Sequence, residues 1–286
     1  MTATLRLAVP NKGRLKDSSI SRLKEAGLDF EQTDRALHAQ VRNVDMELLF
    51  VRTEDIPEMI ADNIAALGIT GIDLLAENGG DLTVLAELGY GYCKLVAAVP
   101  RISKVEKLED LAGLRIATSH PNATRTFFAE RDIDVTVIAL RGSVEVAPKL
   151  GLADAVVDLV STGSTMMVNG LRPVDNLLSS QAVLATSPRS QAERGAELDR
   201  VVTALDAVTQ GRKKRYLLLN APATATETIA AVMPGMGAPT VTPLADASMV
   251  SIASIVDADS VWNLLPQLKA CGGRDIVVLP VGQLIP

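Results

Sequence analysis

At 286 residues and 48% hydrophobic, the chain is long enough for a large core and for two or three domains; with aromatics at 3%, that core must be packed from Ala, Val, Leu and Ile. A formal net charge of −6, with no basic stripe interleaved with aromatics, excludes a general binder of nucleic acid or anionic membrane, so any anionic ligand must be held by local donors. The opening Met1-Thr2-Ala3-Thr4-Leu5-Arg6 lacks the apolar run of a signal peptide, and no stretch of about 18 uninterrupted apolar residues occurs, so a reduced, cytoplasmic enzyme is expected.

Leu5-Arg6-Leu7-Ala8-Val9 reads as a first strand, followed by Pro10-Asn11-Lys12-Gly13-Arg14 and an amphipathic helix ending near Gly27. Met46 to Val51 is another strand, and Asp55-Ile56-Pro57 opens a helix with proline in its first turn. Gly68 to Asp73 reads as a short buried strand with a glycine-permitted turn at its end, and the βαβ pattern to this point implies a parallel sheet. Cys93 to Val99 is apolar, and Leu114 to Thr118 begins a second unit of the same alternation: a helix after Pro121, a strand from Asp134 to Leu140 and a helix from Val144 to Leu150. Two α/β halves with a ligand crevice at the carboxyl ends of their strands follow from this order.

The next strand, Ala155 to Val160, runs straight into Ser161-Thr162-Gly163-Ser164-Thr165-Met166. Glycine lets the backbone approach an anion, and flanking hydroxyls with the N–H groups of a helix start offer donors to phosphate oxygens. Asp158 is the one charge in that strand; burying it without a partner is costly, which places it at the strand's end in a cleft, where it would accept hydrogen bonds from ribose hydroxyls.

A helical pattern from Gln191 through Val208 ends in Gly211-Arg212-Lys213-Lys214-Arg215, read as a solvated helix end and a domain junction. The tail reads strand, helix (Thr224 to Met233), strand (Thr240 to Leu244), strand (Met249 to Val256), helix (Asp259 to Ala270), strand (Asp275 to Leu279), the split βαβ ferredoxin-like order. A small sheet with one open face tends to pair with copies of itself or to bind an effector. The division expected is one lobe of residues 1–92 with a return segment 181–211, a second lobe of 93–180 carrying the phosphate loop, and a C-terminal domain of 212–286.

The run Glu145, Gly151, Ala153, Val156, Asp158, Leu159, Thr162, Gly163, Thr165 and Met166 fills every position of the ATP phosphoribosyltransferase signature, and the chain resembles that family, the first enzyme of histidine biosynthesis. The likeness extends through Asn11-Lys12-Gly13-Arg14-Leu15, Gly68-Ile69-Thr70-Gly71, Leu114 to Thr118 and Pro239-Thr240-Val241-Thr242-Pro243-Leu244; with a C-terminal domain present it resembles the long, self-regulated form. The resemblance implies an α/β fold of two periplasmic-binding-protein-like lobes plus a C-terminal ferredoxin-like regulatory domain. It implies a reaction in which N1 of the adenine of ATP displaces pyrophosphate from C1 of phosphoribosyl pyrophosphate. Adenine N1 already carries a lone pair, so no strong general base is obligatory, and positioning with charge stabilisation does most of the work.

On that reading Ser161, Thr162, Gly163, Ser164 and Thr165 hold the 5-phosphate, with Asp158 and Glu145 near the ribose hydroxyls and the positive charge developing on the sugar. Lys12 and Arg14 meet triphosphate or pyrophosphate oxygens, Arg52 is a weaker candidate for the same task, and Gly13, Gly71 and Asp73 complete the ATP set. The catalytic set is Asp158, Glu145, Lys12 and Arg14. Mg²⁺ arrives with the phosphates rather than on a resident ligand cluster. Histidine is the expected inhibitor, with Asn220, Thr240 and Asp275 supplying its pocket; Asn220 departs from the His or Asp expected there. A homo-oligomer, dimer to hexamer, is also expected.

Each assignment has a plainer competitor. A Gly-Ser-Thr turn after a strand can be only a helix cap, and Glu145 can simply favour a helix dipole. Asn11 to Arg14 can be a solvated turn, and His120, where the family's tyrosine is expected, reads as a loop residue without a catalytic part. Cys93 and Cys271 stand apart with no C-x-x-C spacing, and with His38 and His120 as the only histidines no zinc site or disulfide framework is readable; both thiols read as inert. Two other classes remain: a solute-binding protein on the same two-lobed fold, disfavoured by the hydroxyl-rich loop, and a regulatory relative without catalysis, disfavoured by the intact loop and Lys12 and Arg14.

Overall fold

The computed structural model describes residues 4–33, 36–78, 80–161, 164–233 and 235–285. The chain forms two compact units, Met1–Lys24 with Leu28–Val202 and Glu25–Gly27 with Thr203–Pro286.

The first unit is built on two sheets. One begins with β1 (Leu5–Pro10), α1 (Lys16–Glu25), β2 (His38–Gln40), β3 (Met46–Val51), α2 (Ile56–Ala61), β4 (Leu67–Gly71), α3 (Ile72–Asn78) and β5 (Thr83–Glu87). The chain then crosses to a second sheet of β6 (Cys93–Pro100), β7 (Arg115–Thr118), α4 (Pro121–Ala129), β8 (Thr136–Ala139), β9 (Ala155–Val160), α5 (Ser164–Val168) and β10 (Leu171–Ser180). It returns as β11 (Ala182–Thr186), slotted between β4 and β5, giving a six-stranded order β2-β3-β1-β4-β11-β5 beside a five-stranded β10-β6-β9-β7-β8. Two lobes joined by two crossings, at 88–92 and at Gln181, make the periplasmic-binding-protein-like arrangement. The crossings lie side by side: Leu88 N donates to Ala182 O at 2.9 Å and Ala182 N to Tyr90 O at 2.9 Å.

The expected parallel sheet is only the centre of the first lobe. β1 runs parallel to β3 and β4, but β2 is antiparallel to β3, and β11 is antiparallel to both β4 and β5. In the second lobe β7 is parallel to β8 and β9, whereas β6 is antiparallel to β9 and β10. The central strands are rich in buried apolar residues because both faces are covered. In β6, Leu95, Ala97 and Val99 enter one core cluster with Phe128 and Ile116, while Val96 and Ala98 enter the other with Val156 and Met166, as the two-residue strand period requires.

Two local expectations are corrected. Ile72 and Asp73 belong to α3, not to a strand with a turn; β4 passes directly into the helix. The helix expected over 144–150 is only a 3₁₀ turn, Val144–Val146, entered from Ser143 at φ 51°; Pro148 lacks the N–H that would continue it.

The second unit contains β12 (Lys214–Pro222), α7 (Thr226–Val232), β13 (Thr240–Pro243), β14 (Met249–Asp257), α8 (Val261–Ala270) and β15 (Arg274–Pro280); α6 (Pro188–Arg212) contributes its last turns. The sheet order β13-β14-β12-β15, with every pairing antiparallel, is ferredoxin-like. Leu217, Leu219 and Ile252 meet Ile229 of α7 and Leu268 of α8 in its core, while Tyr216, Val277 and Leu279 are exposed. The basic run is engaged rather than merely solvated: Arg212 pairs with Glu25 at 2.5 Å and Lys214 with its cross-strand neighbour Asp257 at 2.7 Å. Among the described residues no helix is long and apolar enough to cross a membrane.

Candidate active site

Because β1, β3 and β4 are parallel, their carboxyl ends share one edge, and that edge carries Asn11 to Arg14, Arg52 and the start of α3. Lys12 and Gly13 are exposed in the loop after β1, where Gly13 takes φ +78°, and Arg52 is exposed after β3. Arg14 turns to the lobe junction. Its Nη1 donates to Gly91 O of the first crossing and its Nη2 to Asp73 Oδ1 at 3.1 Å.

Asp73, at the start of α3, is 1% exposed. Its Oδ1 also accepts from Ser180 Oγ at 2.5 Å, at the second crossing, while its own N–H donates to Ser180 Oγ at 3.1 Å. His120 Nε2, from the other lobe, stands 3.6 Å from Asp73 Oδ2. Burial pushes the Asp73 carboxyl up, but His120, Ser180 and Arg14 outweigh it and hold it below the usual carboxylate range. Gly71 is needed here for space: a Cβ would overlap Asp73 Oδ1 and come within 3.3 Å of Arg14 Nη2. The Cys93 thiol, beside this cluster, is pushed up by burial and by the Asp73 charge.

The first crossing is gripped along its length. Arg22 of α1 lies 4.7 Å from the Tyr90 ring centroid and donates to Gly89 O at 3.3 Å, and Ser19 Oγ meets Tyr90 Oη at 2.7 Å. Burial raises the Tyr90 phenol to about 12.

In the second lobe β7 and β9 are parallel, so their carboxyl ends place Ser119 and His120 alongside Asp158 and Ser161. Asp158 is half-buried and accepts from Leu159 N at 2.9 Å. Burial raises its carboxyl above the ordinary range and the Glu145 charge adds to this, while the Leu159 N–H and His120 work against it. Asp158, Glu145 and His120 therefore share one electrostatic neighbourhood. Ser161 is exposed at the end of β9; Thr162 and Gly163, like the side chains of Ser164 and Thr165, lie outside the described residues.

His120 is the member that the sequence reading left out. It is 5% exposed, its N–H donates to Thr118 Oγ1 at 2.9 Å, and its Nδ1 lies 3.0 Å from Ser119 Oγ. No local pattern marks it, because Asp73 reaches it from the other lobe.

In the second unit Asn220 Nδ2 donates to Asp275 Oδ2 at 3.2 Å across β12 and β15, with Asp275 at φ 49°. Thr240 sits on the opposite edge strand, β13, aligned with Ala253, so the sheet brings together two of the three expected effector residues and holds the third across it.

A two-lobed α/β fold with polar residues along the strand ends of both lobes, followed by a ferredoxin-like unit, defines the architectural class of the chain. Within that class the family models are specific: "HisG: ATP phosphoribosyltransferase" matches residues 52–207 and "HisG_C: HisG, C-terminal domain" matches 211–283. The chain is 44% identical to the ATP phosphoribosyltransferase of Gemmatimonas aurantiaca and 39% identical to that of Methanosarcina acetivorans, each over 99% of this chain and 100% of the relative. Its fold matches a chain of the ATP phosphoribosyl transferase (HisG:HisZ) complex from Thermotoga maritima with a TM-score of 0.63 at 29% identity, covering 72% of this chain and 98% of that one. The chain belongs to the ATP phosphoribosyltransferase family, in its long form, and is an enzyme of the phosphoribosyltransferase class.

Proposed function

We propose that the chain catalyses the first step of histidine biosynthesis in the cytoplasm, joining N1 of the adenine of ATP to C1 of phosphoribosyl pyrophosphate. The N1 lone pair forms the new bond as the C1–oxygen bond to pyrophosphate breaks, and that electron pair leaves on pyrophosphate. The observation that carries the reading is Asp158, a half-buried carboxylate in the C-terminal half of β9, three residues before Ser161 and within the field of Glu145, where a ribose ring above a phosphate loop would present its hydroxyls. The loop of Ser161 to Thr165 holds the 5-phosphate. Asp158 and Glu145 stabilise the charge that develops on the sugar. Lys12 and Arg52, exposed at the facing strand ends, meet the triphosphate or pyrophosphate oxygens. Arg14, Gly71 and Asp73 support this edge from the junction behind it. Mg²⁺ enters on the substrate phosphates and neutralises their charge.

Mixing the protein with ATP, phosphoribosyl pyrophosphate and Mg²⁺, with a pyrophosphatase to pull the reaction, gives a new ultraviolet-absorbing adduct. A protein that binds both compounds and forms none refutes the reading.

We assign the second unit a regulatory role in a homo-oligomer, with free histidine held near Asn220 and Asp275, which offer the acceptors that its ammonium and imidazole require. Histidine then inhibits the full chain, and its binding and substrate binding weaken each other by the same factor. Truncation after Gly211 leaves a core that histidine does not inhibit. A histidine titration of both forms decides it: an uninhibited full chain, or a core inhibited equally, removes this unit as the sensor.

A further inference from the structure

We propose that Glu77 is a positioning residue that latches the two lobes together across the crevice, capping a helix of the second lobe from a helix of the first. The first-turn N–H groups of α4 have no partner inside their own helix. Its N-cap residue, His120, makes no side-chain cap bond, and Pro121 has no N–H to give. The acceptor comes instead from α3: Glu77 Oε2 takes Asn122 N at 2.9 Å and Ala123 N at 3.0 Å, and Oε1 takes Asn122 N at 3.2 Å. A fourth bond returns, from Asn122 Nδ2 to Glu77 O at 3.0 Å. A carboxylate is the acceptor best suited to a helix N-terminus, since charge-assisted bonds and the helix dipole act in the same direction.

The placement makes this more than a local cap. Asp73 and Glu77 stand four residues apart on α3 and so share one helix face. That face looks at His120, Asn122 and Ala123, the first residues of α4, from the opposite lobe. The seam lies where the carboxyl edge carrying Lys12 and Arg52 meets the edge carrying Asp158 and Ser161. Opening the crevice separates α3 from α4 and must break all four Glu77 bonds; forming them fixes how far the lobes close. Only the closed arrangement brings groups from both edges onto one pair of substrates.

The latch itself stands on geometry alone; its consequence for turnover rests on the transferase reading above. Hydrogen–deuterium exchange on the full-length, ligand-free chain reads the latch without any assay of activity. In Glu77→Ala the amides of Asn122 and Ala123 exchange about tenfold faster or more, while those of β12 and β14 keep wild-type protection. Glu77→Gln falls between, because its amide oxygen still accepts; it also serves if the alanine variant folds poorly. In kinetics the KM values for both substrates rise about tenfold with kcat within about threefold, the penalty expected when the closed state becomes a minor population. Unchanged exchange at Asn122 and Ala123 in a folded variant overturns the latch. Faster exchange with unchanged KM and kcat overturns the positioning role. Faster exchange in a chain whose wild type forms no adduct leaves the latch standing and removes the transferase reading instead.

Discussion

Asp158→Asn lowers kcat by about 30- to 1,000-fold, the equivalent of roughly 2–4 kcal/mol, while the KM for ATP changes little. On the function proposed above the carboxylate faces the sugar, so its worth is realised as positive charge builds at C1, not when the nucleotide binds. A wild-type kcat with only a raised KM for ATP would contradict the assignment. The pH dependence has a definite sign. Burial first, then Glu145, raises the Asp158 carboxyl above the ordinary range, and the ionised form is the useful one. Activity is therefore lost on acidification at a higher pH than an ordinary carboxylate would impose. Glu145→Gln removes the like charge and moves that acid limb to lower pH. The same raised value means that the folded chain pays to keep Asp158 ionised at neutral pH, so Asp158→Asn melts at a higher temperature than wild type even as turnover collapses.

Arg14→Ala destabilises the fold by about 3 kcal/mol at neutral pH, because it strips the cation from a carboxylate that is 1% exposed and leaves that charge buried. Arg14 is itself about a third exposed, at 31%, which sets the estimate at the low end for a broken buried pair. Against the push of burial, its partners hold Asp73 below the usual carboxylate range, so its contribution is present above the unfolded value of about 4 and is lost as pH falls through the lower folded one. Without Arg14 the carboxyl takes up its proton at higher pH, and the stability gap between variant and wild type narrows on acidification. Urea denaturation of both proteins at pH 7 and near pH 4 measures this; a gap of equal size at both values would deny Arg14 its role as counter-ion to Asp73.

What was legible in the sequence was whatever is encoded locally. The strand before Ser161 is apolar except for Asp158, and Pro57 in a first helical turn is a direct start signal. The four-stranded C-terminal sheet could be read because each element is followed by its hairpin or helix partner. The strands that escaped notice have no such signal. β10 is an edge strand that carries Pro173 and exposed polar positions, and β11 is five buried residues, four of them apolar, whose neighbours, β4 and β5, lie about 100 positions earlier. Antiparallel insertion of β11 is a property of the return crossing, which no window of sequence contains. The candidate site residues divide in the same way. Lys12 and Arg52 stand just past strand ends and Asp158 is the lone charge of an apolar strand, whereas Arg14 pointing to Asp73 and Gly91, and His120 facing Asp73 from another lobe, are consequences of the assembled junction.

The return of β11 also fixes an order of events during synthesis. Residues 93–180 are continuous in the chain and hold their own two apolar clusters, so the second lobe has everything it needs as soon as β10 has left the ribosome. The first lobe does not. Although most of it is made earlier, its sheet has a gap between β4 and β5 that only Ala182–Thr186 fills. Until then Leu67, Ile69 and their neighbours carry an unpaired strand edge, a site where wrong partners can add. Of the two lobes, the one translated first is thus the one completed last, and its open strand edge persists while the second lobe is already able to fold.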